Sequence, residues 1–243
     1  MKRSFLVISM IVLVVVGFLS CNKEDNEERY LSYATINDAT NKVLKTDYSS
    51  SILYVEEGIE NVPQWVAGKR LVIDYTILRA HESASMLKTY YVKINGVYDV
   101  LTKMPVKQSF LNSKARVDSI GHDPINLEDI WFTTNYLNIN FSLYRNNPSV
   151  KHFINLVVDD TKTTADDVFV ELRHNAYFDL QSYYRLGNVS FDVSSFVVAP
   201  KTSVKIHLSR LTYSGEMKTD TMTYKLSVLA APAKYAILQL PIK

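Results

Sequence analysis

The sequence predicts an all-β protein: a signal segment, then a small N-terminal barrel, then an antiparallel β-sandwich. Three observations carry this. Apolar and polar residues alternate with period two along most of the chain, the spacing of strands with one buried face. No stretch satisfies the start and stop rules of a helix. A composition break, "QSFLNSKARVDS" (Gln108 to Ser119), then separates about five short strands from about seven or eight.

The first element is not part of the fold. Lys2 and Arg3 precede an almost wholly apolar run from Phe5 to Leu19, the layout of a secretory signal. A membrane-spanning helix needs about 20 apolar residues, so this run is short for a permanent span. It ends at Ser20-Cys21, and Cys21 is the only cysteine of the chain. A small residue before a lone thiol at a signal's end resembles a bacterial lipobox, although Phe18 stands where leucine is usual. Attachment of a diacylglycerol to the Cys21 thiol through a thioether, cleavage before Cys21 and acylation of the new amino terminus, with palmitate among the acyl groups, would tie the chain to a membrane. Each buried methylene contributes about 0.8 kcal/mol, and two or more chains anchor stably. "NKEDNEE" (Asn22 to Glu28) has no apolar residue to pack and reads as a solvated tether. Its Lys23-Glu24-Asp25 resembles the acidic export signal of Bacteroidota surface lipoproteins. The expected location is therefore the outer membrane, lipid-anchored and facing outward.

In the barrel segment, "TYYVKI" and "VYDVL" flank Asn95-Gly96, a hairpin signal because a type I′ turn needs positive φ twice. That reading pairs Ile94 with Val97 and puts Tyr90, Val92 and Leu101 on one face. After the break, "YLNINFSLY" turns Leu137, Ile139, Phe141 and Leu143 inward and Asn138, Asn140 and Ser142 toward water. "NVSFDV" buries Val189, Phe191 and Val193. "SVKIHLSR" buries Val204, Ile206 and Leu208, and "TMTYKLSV" aligns Met222, Tyr224, Leu226 and Val228. "RNNPS" (Arg145 to Ser149) and "DDTKTTADD" (Asp159 to Asp167) are turns. The expected division is signal 1–20, tether 21–29, barrel domain 30–110 and sandwich domain 115–243.

Composition narrows the function. The chain has 27 basic and 25 acidic residues; losing Lys2 and Arg3 with the signal leaves 25 of each. An electroneutral protein is poorly suited to nucleic acid, which is held by excess Lys and Arg. One cysteine allows no internal disulfide and no thiolate zinc cluster. Only seven glycines occur, and neither GxGxxG nor GxxxxGK[ST] is present, so no cofactor is expected. HExxH, GxSxG and internal repeats are also missing, and no catalytic residue can be assigned.

Four groups invite a chemical reading. In "ELRHNA", alternation places His174 on the face of Val168, Val170 and Leu172, where it reads as a core histidine with both ring nitrogens satisfied. Glu171 and Arg173 share the other face as an ion pair. His122, Asp123, His152 and His174 match no metal-ligand spacing, and no metal site is expected. Asp159-Asp160 and Asp166-Asp167 lack the DxDxDG register of a calcium loop and read as solvated loop ends. The excess of sixteen tyrosines is more suggestive. "NAYFDLQSYYRL" sets Tyr177, Phe178, Tyr183 and Tyr184 between two strands, in an expected loop from Asn175 to Asn188. Such rings either cap the sandwich core or form a surface for a protein or a glycan, since tyrosine offers large contact area at low entropy cost.

Three stretches, "YYVKINGVYDVLTK" (Tyr90 to Lys103), "WFTTNYLNINF" (Trp131 to Phe141) and "VELRHNAYFD" (Val170 to Asp179), resemble the NigD-like lipoproteins of Bacteroidota. The likeness extends from about residue 30 onward. It implies an OB-fold N-terminal domain joined to a C-terminal β-sandwich. The family takes its name from a protein encoded beside the bacteriocin nigrescin and assigned as its immunity protein. The resemblance thus implies a surface protein that protects its producer by binding. It carries no site residue other than the lipid-bearing Cys21. The alternative is a glycan-binding accessory lipoprotein of a surface uptake system.

Overall fold

A computed structural model of the chain describes residues 28–81 and 87–225. The signal, Cys21 and most of the tether lie outside the described residues, as do Leu226 and Val228 of the last predicted strand.

The barrel is built from β1 (Arg29–Asp38), β2 (Val43–Thr46), β3 (Ile52–Glu57), β4 (Arg70–Ala80) and β5 (Thr89–Asp99). They close in the order β1-β2-β3-β5-β4, with β3 and β5 parallel and the other pairs antiparallel. A five-stranded closed barrel in this order is the OB arrangement. Its interior is filled by Ile36, Leu44, Leu53, Leu71, Ile73, Val92 and Ile94. Each contributes about 1.5–3 kcal/mol by leaving water.

Asn95-Gly96 does not turn the chain. β5 runs straight through it, with Gly96 opposite Asp74, Ile94 opposite Tyr75 and Val97 opposite Ile73, so Asn95 is the extra residue of a β-bulge. The 11-residue β4 matches β5 in length and pairs with both halves. The Asn95 amide seals the bulge by donating to Asp74 Oδ1 and Thr76 Oγ1, each at 3.1 Å.

The barrel ends at Asp99. Within residues 30–110, β6 (Leu101–Lys103) and β7 (Val106–Lys107) hydrogen-bond into the sandwich sheets instead. Next comes α1 (Lys114–Ile120), a helix where a linker was expected. Ser113 caps its start, its hydroxyl accepting from the Arg116 amide, and Gly121 ends it at φ 72°. A seven-residue helix, about two turns, is too short to show apolar periodicity, so only its caps could have signalled it.

The remaining strands are β8 (Asn126–Phe132), β9 (Tyr136–Arg145), β10 (Phe153–Val158), β11 (Asp167–Asn175), β12 (Tyr183–Asp192), β13 (Ser203–Leu211) and β14 (Met217–Lys225). One sheet runs β14-β13-β11-β10-β7 and the other β6-β12-β9-β8. β11 lies parallel to β13, and the short β6 and β7 add further parallel pairs. Between the sheets pack Leu137, Ile139, Phe141, Leu143, Val189, Phe191, Val193, Val204, Ile206, Leu208 and Tyr224, the inward sets that alternation predicts. The turns at 146–149 and 159–166 fall where expected.

The outward face of β9 is a correction. Asn138 and Ser142 are fully buried rather than facing water. Asn138 meets the barrel, where Arg70 donates to Asp47 at 2.6 and 2.5 Å and to Asn138 Oδ1 at 2.9 Å. Ser190 Oγ donates to the same amide oxygen at 2.6 Å, and Trp131 Nε1 to Asp47 Oδ2 at 3.0 Å. Beside this polar knot, Tyr33, Val72, Val100 and Trp131 form an apolar cluster, with the Tyr33 and Trp131 rings 4.9 Å apart. Burial pushes the Tyr33 phenol up to about 12, so it stays a donor and bonds Asn140 Oδ1 at 3.0 Å.

Candidate functional site

At one end of the sandwich, α1, the 121–124 turn and the loop after β11 surround a cleft of about 650 Å³. Tyr177 and Phe178 stand on its edge, and Tyr144 and Tyr213 also line it. Gly121 lets the helix end lie flush on β11: a Cβ there would come within 2.5 Å of Asn175 Cβ and 2.7 Å of the His174 carbonyl oxygen. Asn175 in turn caps the helix, its amide donating to the Asp118 and Ser119 carbonyls.

The loop tip is held in an unusual conformation. Tyr177 and Phe178 both have positive φ, 49° and 62°. Two successive non-glycine residues in this region cost roughly 1–3 kcal/mol each and persist only when surroundings impose them. The surroundings do so here. The Tyr177 amide donates to Asn175 Oδ1, the Ala176 amide to Asp123 Oδ2 and the Asp179 amide to the Ala176 carbonyl. The Asp179 carboxylate accepts from the Asn146 and Asn147 amides at 2.9–3.2 Å. These hydrogen bonds, with that to His152, outweigh the opposing effect of desolvation and hold the carboxyl down at about 2.

Behind Asp179 runs a chain of rings. Asp179 Oδ2 meets His152 Nε2 at 3.1 Å, His152 Nδ1 meets His174 Nε2 at 2.9 Å, and His174 Nδ1 meets the Pro124 carbonyl at 2.9 Å. Both ends are acceptors, so three bonds need three N–H groups, one more than two neutral imidazoles carry. His174 is buried with both nitrogens engaged, as its alternation predicts, and burial pushes its pKa down.

The result is a rigid tip presenting aromatic surface. The Phe178 side chain is fully exposed, at 103 % of its reference area, and Tyr177 packs edge-on against Phe153 with centroids 5.3 Å apart. Tyr183 and Tyr184 are not loop residues. They open β12 and pair with Arg145 and Tyr144 of β9. Both stay exposed, and Tyr184 bonds Glu128 at 2.6 Å and packs edge-on against Tyr144. Tyr144 also packs edge-on against Tyr213, whose phenol accepts from the Tyr144 amide. Tyr177 and Phe178 therefore belong to the cleft, while Tyr184 reaches it only through Tyr144.

The other candidates resolve individually. Arg173 pairs with Glu171 at 2.7 Å, and His122, on the cleft wall, approaches the same carboxylate at 2.7 Å. Asp159 accepts from Thr161 and Lys162, Asp160 from Ser109, Asp166 pairs with Lys201 and Asp167 with His207. Among the described residues, no three of His, Cys, Asp or Glu converge as metal ligands. Tyr144, Tyr213 and the helix were missing from the sequence reading of the site. Tyr144 closes a strand pattern and Tyr213 sits in a turn, so neither carries a local signal.

A family model for the NigD-like C-terminal β-sandwich domain matches residues 108–224. Solved structures share the wider architecture. A protein designated toxin-related from Parabacteroides distasonis is 26% identical, with a TM-score of 0.67, over 82% of this chain and 95% of that one. A protein of unknown function from Bacteroides vulgatus is 25% identical, with a TM-score of 0.63, over 86% and 97%. A NigD-like immunity protein from Bacteroides caccae has the same fold, with a TM-score of 0.59 at 20% identity over 81% and 96%. No curated protein matches the sequence. The chain therefore carries a NigD-like C-terminal β-sandwich domain at residues 108–224, and its barrel-plus-sandwich fold is shared with these solved structures.

Proposed function

We propose that this chain is a lipid-anchored protein of the outer-membrane surface that acts by binding a protein partner, in an immunity-like role. Its cleft beneath Tyr177 and Phe178 is the contact surface. The observation that carries this reading is the tip itself: two adjacent aromatic residues in strained conformation, pinned by Asp179, with one ring wholly in solvent. Folding alone gains nothing from exposing Phe178, whereas a partner could bury the ring at little further entropy cost. The immunity-like role is supported by the NigD-like immunity protein that shares the fold. The anchor is supported by Cys21 at the signal junction and by a fold relative from Bacteroides fragilis designated a lipoprotein.

The test uses the chain from Asn22 to Lys243 as bait on cell extract, beside a Phe178→Ala, Tyr177→Ala double variant. A protein captured reproducibly by the native chain and lost with the variant supports the reading. Capture by both sinks the cleft as the contact. No protein captured, with binding on a glycan array instead, replaces this reading by the glycan-binding one. Palmitate labelling that vanishes in Cys21→Ser tests the anchor separately.

A further inference from the structure

A second concavity, of about 570 Å³, opens where the two sheets part between β9, β12, β6 and the start of β10. His152 lines it, while the bonding partners of His152, Asp179 and His174, line the aromatic cleft. On β9, Phe141, Leu143 and Arg145 share one face, being two residues apart. Across the ladder, Gly187, Arg185 and Tyr183 stand opposite them in turn. Ile154 and Phe153 complete the apolar floor. Gly187 is required there: a Cβ would lie 2.5 Å from the Phe141 ring.

Four cations line this groove, Lys103, Arg145, Lys151 and Arg185, and no aspartate or glutamate does. None of the four has a carboxylate partner among the described residues. Arg145 spends its Nη2 on the Asn147, Pro148 and Val150 carbonyls, and its buried Nε has no partner. Arg185 donates only to the carbonyl of Tyr184, and Lys103 to the Ile154 carbonyl and Asn155. Arg145, Lys151 and Arg185 gather at one end by the 146–149 turn, and the apolar floor leads away from them.

We propose that this groove binds an anionic amphiphile, a single hydrocarbon chain with a carboxylate or phosphate head. The head meets Arg145, Lys151 and Arg185, and the chain lies along Leu143, Phe141 and Ile154. The volume is that of a small-molecule site. A chain replaces water on the floor, and the head supplies the charge that the rim lacks. An acidic peptide would meet the cations equally well, but its backbone amides would lie unsatisfied on an apolar floor.

The site is tested by calorimetric titration of the Asn22–Lys243 chain below micellar concentrations. Probes are decanoate, dodecanoate, dodecyl phosphate, dodecyl maltoside and dodecyltrimethylammonium. Saturable binding of the anions is expected, with dodecanoate tighter than decanoate by up to about 15-fold, since each buried methylene is worth about fourfold. The neutral and cationic probes should bind at least tenfold more weakly. Lys151→Gln with Arg185→Gln, both at exposed positions, should keep the native melting curve and weaken the anions about tenfold or more. Preference for carboxylate over phosphate points to a fatty acid, and the reverse to a lysophospholipid; either supports the site. Equal binding of all heads, no dependence on chain length, or no saturable binding of the anions overturns it.

Discussion

Arg70 of the barrel and Asn138 of the sandwich meet across the boundary between the two, the guanidinium Nη2 donating to the amide oxygen at 2.9 Å. Arg70 has no exposed surface, and its charge is matched by Asp47, equally buried. One side chain thus neutralises a carboxylate within the barrel and fixes where the sandwich docks.

Removing either side of this contact should have different costs. Arg70→Met strands the Asp47 carboxylate in a dry interface, and such a loss costs about 3–5 kcal/mol. Asn138→Ala leaves one guanidinium N–H and the Ser190 hydroxyl without their acceptor, costing about 1–3 kcal/mol. Urea melts of the two single variants and the double variant should show coupling of at least about 0.5 kcal/mol, the range for residues in one network. Strict additivity would mean that the interface bond carries no weight.

What the sequence discloses divides along physical lines. Period-two alternation reads one face of a strand, and it located Val204, Ile206 and Leu208, or Val189, Phe191 and Val193, without error. It cannot say what covers the other face. Asn138 and Ser142 look solvent-bound because polar residues usually are, yet Arg70 of the barrel covers Asn138, and Ser142 is buried within the sandwich, its hydroxyl donating to Glu128. Asn95-Gly96 failed similarly: local turn chemistry favoured a hairpin, and the long partner strand β4 outweighed it. The site was half legible. Tyr177 and Phe178 stood out as rings between strands, but Tyr144 and Tyr213 reach the cleft only through tertiary packing.

The tip offers a test of strain against function. Phe178 sits at φ 62° with its whole side chain in water, so Phe178→Gly removes no buried surface and relieves the backbone. Thermal or urea stability should hold or rise by up to about 1 kcal/mol, the gain from relief being offset by the greater freedom of glycine in the unfolded chain. Partner capture should fall. A drop in stability with capture intact would place Phe178 among structural residues and leave the strain without a functional account. Tyr177→Gly is the comparison: it also loses the contact with Phe153, so its stability should not rise.

Asp179 makes the same tip sensitive to acid. Its carboxyl sits at about 2 in the folded chain, against about 3.9 when unfolded. A depressed carboxylate adds stability that is whole above the unfolded value and is lost as pH falls through the folded one. The latch to the Asn146 and Asn147 amides should therefore be intact at pH 5 and fail progressively between about 4 and 2. His174 acts in the same direction from higher pH, because burial depresses its pKa and acid must charge a ring enclosed by the core. Hydrogen exchange separates the two. Protection factors at Asn146 and Asn147, corrected for intrinsic rates, should drop between pH 5 and pH 2.5 in the native chain. In Asp179→Asn they should start lower and show no step in that window, since the amide does not titrate while His174 is retained. Native protection that survives at pH 2.5, or an equal acid step in Asp179→Asn, would remove Asp179 as the group that holds Tyr177 and Phe178 in place.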